Sequence, residues 1–336
     1  MKVCVVGAGA IGATIGAKLF SAMGQVCLVA RGANLDAIRR DGLQFIDQVG
    51  SASGVHRVPA SDRPADFGPQ DLVIICCKAY SLGSVLAEIG PLLGPNTVVL
   101  PALNGVPWWY FHGEGGNWNS ARLDSLDPDG NLEQALDMAR VIGCVVHLGA
   151  ERLQAGVVQH TAGRRLIIGE PDGSDSERVR QVQGVLREAE FDCEVSLRIR
   201  RDIWAKLIGN LSFNPVAALT GYRMDQICSD PVLLGPIRQV LAEGIEVARR
   251  LGVDVGVTPE QRIAIARQLG RARISMLQDL EQGRPIELAA IVEAVMELAD
   301  RVGVGVPVTR TLHALVRARA DAIGVGVGRD AAAPVR

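Results

Sequence analysis

Aromatic side chains are scarce: four Trp, three Tyr and six Phe in 336 residues. Five of them, Trp108, Trp109, Tyr110, Phe111 and Trp118, gather in one short segment. No long Lys/Arg block occurs and the formal net charge is −2, which argues against nucleic-acid binding. No apolar run approaches the roughly 20 residues of a membrane span, so no membrane association is expected. The seven cysteines (Cys4, Cys27, Cys76, Cys77, Cys144, Cys193, Cys228) form no C-x-x-C pair and no zinc spacing. Buried, reduced thiols in a cytoplasmic protein are the expectation. His56, His112, His147, His160 and His313 are scattered, so no metal site is expected. The opening "MKVCVVGAGAIG" resembles a short signal peptide, but it has no cleavage site and its glycines have another use.

What is present is a change of rhythm along the chain. Short apolar strands at 2–7, 25–30, 71–78 and 97–103 alternate with helices such as 12–23. Near-continuous apolar strands separated by helices indicate a parallel sheet covered on both faces. Residues 104–131 interrupt this as a long loop. A strand at 140–148, a hairpin turning around Ala162-Gly163, a helix near 175–190 and a strand at 192–196 complete the first half. From about 198 the pattern becomes helix after helix: 200–219, 231–251, 259–281, 286–303 and 308–321. The breaks fall at residues such as Pro215, Gly221 and Pro259. The fold class expected is α/β: a Rossmann-type dinucleotide-binding domain over 1–197, then an all-α domain over 198–325 and a flexible tail over 326–336.

Gly7-Ala8-Gly9-Ala10-Ile11-Gly12 fits G-x-G-x-x-G directly after a strand and at the opening of a helix, which is the context the motif requires. The first glycine makes the tight turn, and the second lets backbone N–H groups approach a pyrophosphate at the positive helix terminus. The second strand ends "LVARG". An NAD-selective site would place an acid there for the ribose 2′-hydroxyl, whereas this chain places Arg31. A guanidinium pairs with a 2′-phosphate, so NADP(H) is the expected cofactor. The alternative is that Arg31 is a solvated loop charge.

Residues 202–215 read "DIWAKLIGNLSFNP". Four-residue spacing places Lys206, Asn210 and Asn214 on one helix face, about 6 Å apart along the axis. Beside a dinucleotide fold, such a row suits reduction of a carbonyl: hydride comes from the nicotinamide, and a desolvated lysine supplies the proton. The amides can hold a small polar substrate without adding charge. The alternative is a lysine that snorkels outward with asparagines as caps. Three polar residues in register inside an apolar helix disfavour that.

Over residues 1 to about 320 the chain resembles the ketopantoate reductases (2-dehydropantoate 2-reductases). The resemblance rests on "GAGAIG" (7–12), "CKAY" (77–80), "LNGV" (103–106), "WAKLIGNLSFNP" (204–215) and "SMLQDLEQGRPIE" (275–287). It implies that Lys206 is the general acid and that Asn210 and Asn214 contact substrate. It further implies that Ser275 helps bind the substrate carboxylate and that Glu287 lies at the nicotinamide end of the site. Arg31, Lys78 and Asn104 would serve the cofactor, Asn104 also meeting the substrate. Independently, Lys78 and Asn104 follow ends of parallel strands, where ligands of open α/β sheets bind. Glu287 could instead be a first-turn helix acid after Pro285, and Ser275 a solvent-facing hydroxyl.

The chain departs from the family pattern in three places. The family's "EIDxxNG"-like run is "ELAAIVEAV" here (287–295), "GYRMDQ" stands where another substrate asparagine is common, and 107–131 is longer than in many members. Reduction of ketopantoate to pantoate for pantothenate synthesis is therefore the first expectation. A same-fold NADPH-dependent reductase of another 2-oxo acid or ketone is the second, and a non-catalytic NADP(H)-binding regulator the third. The small-molecule substrate aside, a homodimer through the helical domain is expected. The aromatic loop is expected to be a lid or subunit contact, or else a packed surface flap.

Overall fold

The structure, a computed structural model, describes residues 1–50 and 53–328. It divides into two compact units. The first comprises 1–103, 111–121 and 131–199, and the second 104–110, 122–130 and 200 onward. The last residues of the expected tail, 329–336, lie outside the described residues.

In the first unit, chain order runs β1 (Val3–Val6), α1 (Ala10–Met23), β2 (Val26–Val29), α2 (Gly32–Asp41), β3 (Leu43–Asp47), β4 (Gly54–His56) and β5 (Ala60–Ser61). It continues with β6 (Gln70–Ile75), α3 (Leu82–Glu88), β7 (Leu93–Pro101), α4 (Asn131–Ala135), β8 (Gly143–Gln154), β9 (Val157–Gly169), α5 (Glu177–Glu188) and β10 (Asp192–Val195). The sheet β5-β2-β1-β6-β7 is parallel throughout. Its strands β1 and β2 are buried at every position, as the unbroken apolar runs require.

Not one sheet but two are present. A second, mixed sheet runs β10-β9-β3-β4, with β8 antiparallel to β9. The expected hairpin around Ala162-Gly163 is not there. β9 runs straight through those residues, and the turn lies between β8 and β9 at Ala155-Gly156, with Gly156 at φ +73°. Gly163 is left-handed inside the strand, and a Cβ there would come within 2.4 Å of the His147 carbonyl oxygen. It is a bulge glycine, where the register between β8 and β9 shifts.

The second unit is helical: α6 (Ile199–Thr220), α7 (Met224–Ser229), α8 (Pro231–Arg250), α9 (Pro259–Arg267), α10 (Ser275–Glu281), α11 (Ala294–Arg301) and α12 (Pro307–Ala322). Two expected boundaries fail. Pro215 lies inside α6 without ending it. Phe213, Val216, Ala217 and Ala218 around it are buried, and that burial offsets the roughly 3 kcal/mol a helix-interior proline costs. The single helix expected over 259–281 is instead α9 and α10, parted by a stretch containing left-handed Gly270. A π-helical turn, Ala289–Glu293, precedes α11.

The first unit also buries charges. Lys18 on α1 is 2% exposed, and its ammonium lies 3.0 Å from Asp47 and 3.2 Å from Glu190. His160 Nδ1 stands 3.0 Å from the other Asp47 oxygen. Burial pushes the Asp47 carboxyl up, but the Val49 and Gly50 amides and Lys18 outweigh it and hold its pKa at about 2. A depressed carboxylate stabilises the fold above its unfolded range, and that contribution is lost as pH falls toward 2. Lys18→Met removes the cation and leaves Asp47 buried with only the Val49 and Gly50 amides and His160 beside it. Urea unfolding of this variant should show a loss of about 3–5 kcal/mol at neutral pH.

Candidate active site

In the first unit the glycine turn is crowded where it must be and open where a ligand needs space. Gly7 is at φ +100°, and a Cβ there would lie 2.9 Å from the Cys76 carbonyl oxygen. A Cβ on Gly12 would sit 1.9 Å from the Gly7 carbonyl oxygen and 2.9 Å from Cys76 Cβ. On Gly9, the residue that precedes α1, a Cβ would meet nothing within 4 Å. No side chain caps α1, so its first N–H groups are left for a ligand. The turn is tied by Gly7 N–H to the Val29 carbonyl (2.9 Å) and by Asn34 Nδ2 to the Ala8 carbonyl (2.8 Å). These features fit a dinucleotide pyrophosphate lying on Ala8, Gly9, Ala10 and Ile11.

Arg31 follows β2, exposed, with its guanidinium 2.5 Å from Glu88 Oε2. Both partners are about half exposed, so an incoming anion competes with a weak surface pair. Lys78 follows β6, two residues beyond the Cys76 that closes on Gly7 and Gly12. Burial, with neighbouring Cys144 and Cys77, pushes the Cys76 thiol well above its usual range, so it is a neutral packing group there.

The second unit brings Lys206 and Asn104 together. Lys206 Nζ donates to Asn104 Oδ1 at 2.8 Å. The reverse side of α6 is core: Trp204, Leu207, Ile208 and Leu211 are all at most 2% exposed. Lys206 and Asn210 are partly buried, while Asn214 is 2% exposed. The Asn214 Nδ2 is buried with no hydrogen-bond partner. An unmet buried donor costs about 1–3 kcal/mol, which a bound acceptor would recover.

Asn104 is fixed by the residues that follow it. Gly105, at φ +86°, lies so close to the π-helical turn that a Cβ would be 2.4 Å from the Ala290 carbonyl oxygen. Val106 N–H donates to that same carbonyl at 2.8 Å. Glu287 is buried three residues before Ala290. Ser275 is the first residue of α10 and makes no side-chain hydrogen bond among the described residues.

Both halves of the chain match family models: residues 3–173 that of "Ketopantoate reductase PanE/ApbA", and 198–320 that of its C-terminal part. The chain belongs to the ketopantoate reductase family. It is an oxidoreductase, in a family that uses NAD(P). A 2-dehydropantoate 2-reductase of Mesorhizobium japonicum is 41% identical over 94% of this chain and 97% of its own. A 2-dehydropantoate 2-reductase of Archaeoglobus fulgidus is 30% identical over 94% of this chain and 97% of its own. Among solved structures, a PanE/ApbA family ketopantoate reductase from Ralstonia eutropha superposes with a TM-score of 0.82 at 28% identity, covering 96% of this chain and all of that one. Among the described residues no helix is long and apolar enough to cross a membrane.

The aromatic loop of this ketopantoate reductase family member is packed. Trp108, Trp109, Tyr110 and Phe111 are each at most 4% exposed. Trp204 Nε1 donates to the Tyr110 hydroxyl at 2.6 Å, and Arg200 Nε to the Tyr110 carbonyl at 2.7 Å. Tyr110 is thereby bound to the helix that carries Lys206, six residues beyond Asn104. The sequence reading missed this clamp and the Gly105–Ala290 approach. Their only trace was a glycine after Asn104 and aromatics shortly beyond it. Of the two roles the loop could have, the flap is the one the packing supports. Trp109→Ala should cost about 3–5 kcal/mol of stability, read as a large fall in melting temperature, with KM for the nicotinamide cofactor little changed.

Proposed function

We propose that this chain reduces the 2-oxo group of 2-dehydropantoate to the alcohol, using NADPH, as a step of pantothenate synthesis. Its first unit serves as the cofactor-binding domain and its second as the substrate domain. When bound, the nicotinamide supplies the hydride to the carbonyl carbon. Lys206 supplies the proton to the carbonyl oxygen. Asn104 Oδ1 holds the ammonium in place, which leaves Asn104 Nδ2 free to donate to a ligand. Asn210 and Asn214 offer amide donors along the same face, and Ser275 and Glu287 complete the set that the family likeness suggests. The observation that carries this reading is the Lys206–Asn104 bond on a helix face that also buries an unmet Asn214 donor.

Lys206→Ala should lower kcat by about 10²- to 10⁴-fold, the range of general acid catalysis, with NADPH affinity nearly unchanged. NADPH absorbance decay with 2-dehydropantoate and a panel of 2-oxo acids measures this. Turnover close to that of the unmodified protein would leave Lys206 a structural residue.

A second substrate remains in view because of one observation. The run 287–295 lacks the Asp and Asn of the family pattern, and its Ala290 is spent on Gly105 and Val106. The same panel decides whether another 2-oxo acid is the better substrate.

NADPH is the proposed cofactor because Arg31, with no acid next to it in sequence at the end of β2 and only a half-exposed pair with Glu88 to give up, offers a cation to a 2′-phosphate. Arg31→Ala should raise KM for NADPH about 10- to 150-fold, the loss of charge-assisted bonds worth about 1.5–3 kcal/mol. KM for NADH should move far less, and equal changes in the two would refute the assignment.

A further inference from the structure

The π-helical turn Ala289–Glu293 does more than present the Ala290 carbonyl. Its last residue, Glu293, is mostly buried and accepts a hydrogen bond at 2.9 Å from Nε2 of His313 on α12. An ionised carboxylate only accepts, so the imidazole is the donor. α12 is itself fixed one turn earlier. Glu243 on α8 accepts from the N–H groups of Val308 and Thr309, each at 2.9 Å, and from the Thr309 hydroxyl at 2.6 Å. Helix starts leave such donors without intrahelical partners, and a carboxylate suits the positive end of the helix. The next residue of α8, Gly244, lies against α6: a Cβ there would be 3.1 Å from Leu211 Cδ2 and 3.4 Å from Ile208 Cγ2. Ile208 and Leu211 stand two and five residues beyond Lys206.

These contacts close a ring. From one turn of α8, one arm runs through α6 to Lys206. The other runs through α12, His313, Glu293 and Ala290 to Gly105 and Val106, and so to Asn104. The arms meet in the Lys206–Asn104 bond. The weak member of the ring is the π-helical turn. It holds one residue more than an α-helical turn, and such turns are rare and frequent at functional sites. Relaxing into an α-helix shifts the register by one residue, which swings a carbonyl about 100° around the axis. The Ala290 carbonyl would then leave the Val106 N–H and its place against Gly105. Glu293, anchored to α12 at the end of the turn, opposes that slip.

We propose that Glu293 and His313 are positioning residues, which fix the π-helical turn and thereby hold Asn104 at Lys206. The proposal rests on the reading of Lys206 as proton donor and deepens it. Both residues act through Asn104.

Steady-state kinetics with NADPH and 2-dehydropantoate, together with crystal structures of the variants, test this. Glu293→Ala should lower kcat about 10- to 100-fold, the cost of a misplacement of about 1 Å, with KM for NADPH nearly unchanged. Glu293→Gln, which still accepts from His313, should keep most of kcat. In an Asn104→Ala background the Glu293→Ala loss should largely vanish, because the group it positions is gone. The crystal structure of Glu293→Ala should show Lys206 Nζ and Asn104 Oδ1 beyond hydrogen-bonding distance, more than about 3.5 Å apart. His313→Leu removes the same bond from α12 and serves if Glu293→Ala folds poorly. Unchanged kcat, even with a lowered melting temperature, an equal loss with and without Asn104, or an unmoved Lys206–Asn104 pair would each overturn the proposal. If the unmodified protein reduces no 2-oxo acid, the catalytic reading fails, and the Lys206–Asn104 distance in the variants alone decides this one.

Discussion

The second unit is organised around one bond, from the Lys206 ammonium to the Asn104 side-chain carbonyl at 2.8 Å. A lysine on a mostly buried helix must find an acceptor or leave for water. Asn104 supplies the acceptor only because its backbone is pinned. Gly105 takes a left-handed conformation against Ala290, where any Cβ would clash, and Val106 donates to the carbonyl of that residue. Six residues further on, Trp204 and Arg200 hold Tyr110. The loop that supplies the acceptor and the helix that supplies the donor are thus fastened to each other at both ends.

The glycine turn of the first unit obeys the same logic of space. Gly7 and Gly12 are glycines because backbone and Cys76 leave no room for a side chain, whereas Gly9 faces a gap. Three glycines in one motif therefore stand in two distinct surroundings: two permit close packing, and one faces open space before α1. A turn packed for tightness alone would crowd all three.

Much of this was legible in the sequence, and the failures have specific causes. The G-x-G-x-x-G turn and the Lys-Asn-Asn row were readable because each fixes local geometry by spacing alone. Pro215 was misread as a break because the burial that overrides its cost comes from neighbours distant in sequence. Gly163 was misread as a turn because a bulge glycine and a turn glycine look alike until the partner strand is known. The second sheet went unseen because its edge strand β4 has three residues, too few for a period to register, and because β3 pairs with β9, more than 100 residues further along the chain. Lys18 and Asp47 were passed over for a different reason: neither charge differs in sequence from a solvated one, and only the tertiary fold buries them against each other.

The kind of group that holds Lys206 bears on what it can do. A carboxylate at residue 104 would satisfy the ammonium more strongly and, by stabilising the charged form, raise its pKa and hold its proton. An amide carbonyl orients the ammonium through a neutral hydrogen-bond acceptor and adds no counter-charge. In the proposed reaction the proton would then be transferable to an oxygen that gains negative charge as a hydride arrives at the neighbouring carbon. After such a transfer the lysine would be neutral and could stay bonded to Asn104. Asn210 and Asn214 extend the same chemistry along the helix face: amides with polarity enough to hold an oxygen and no charge of their own.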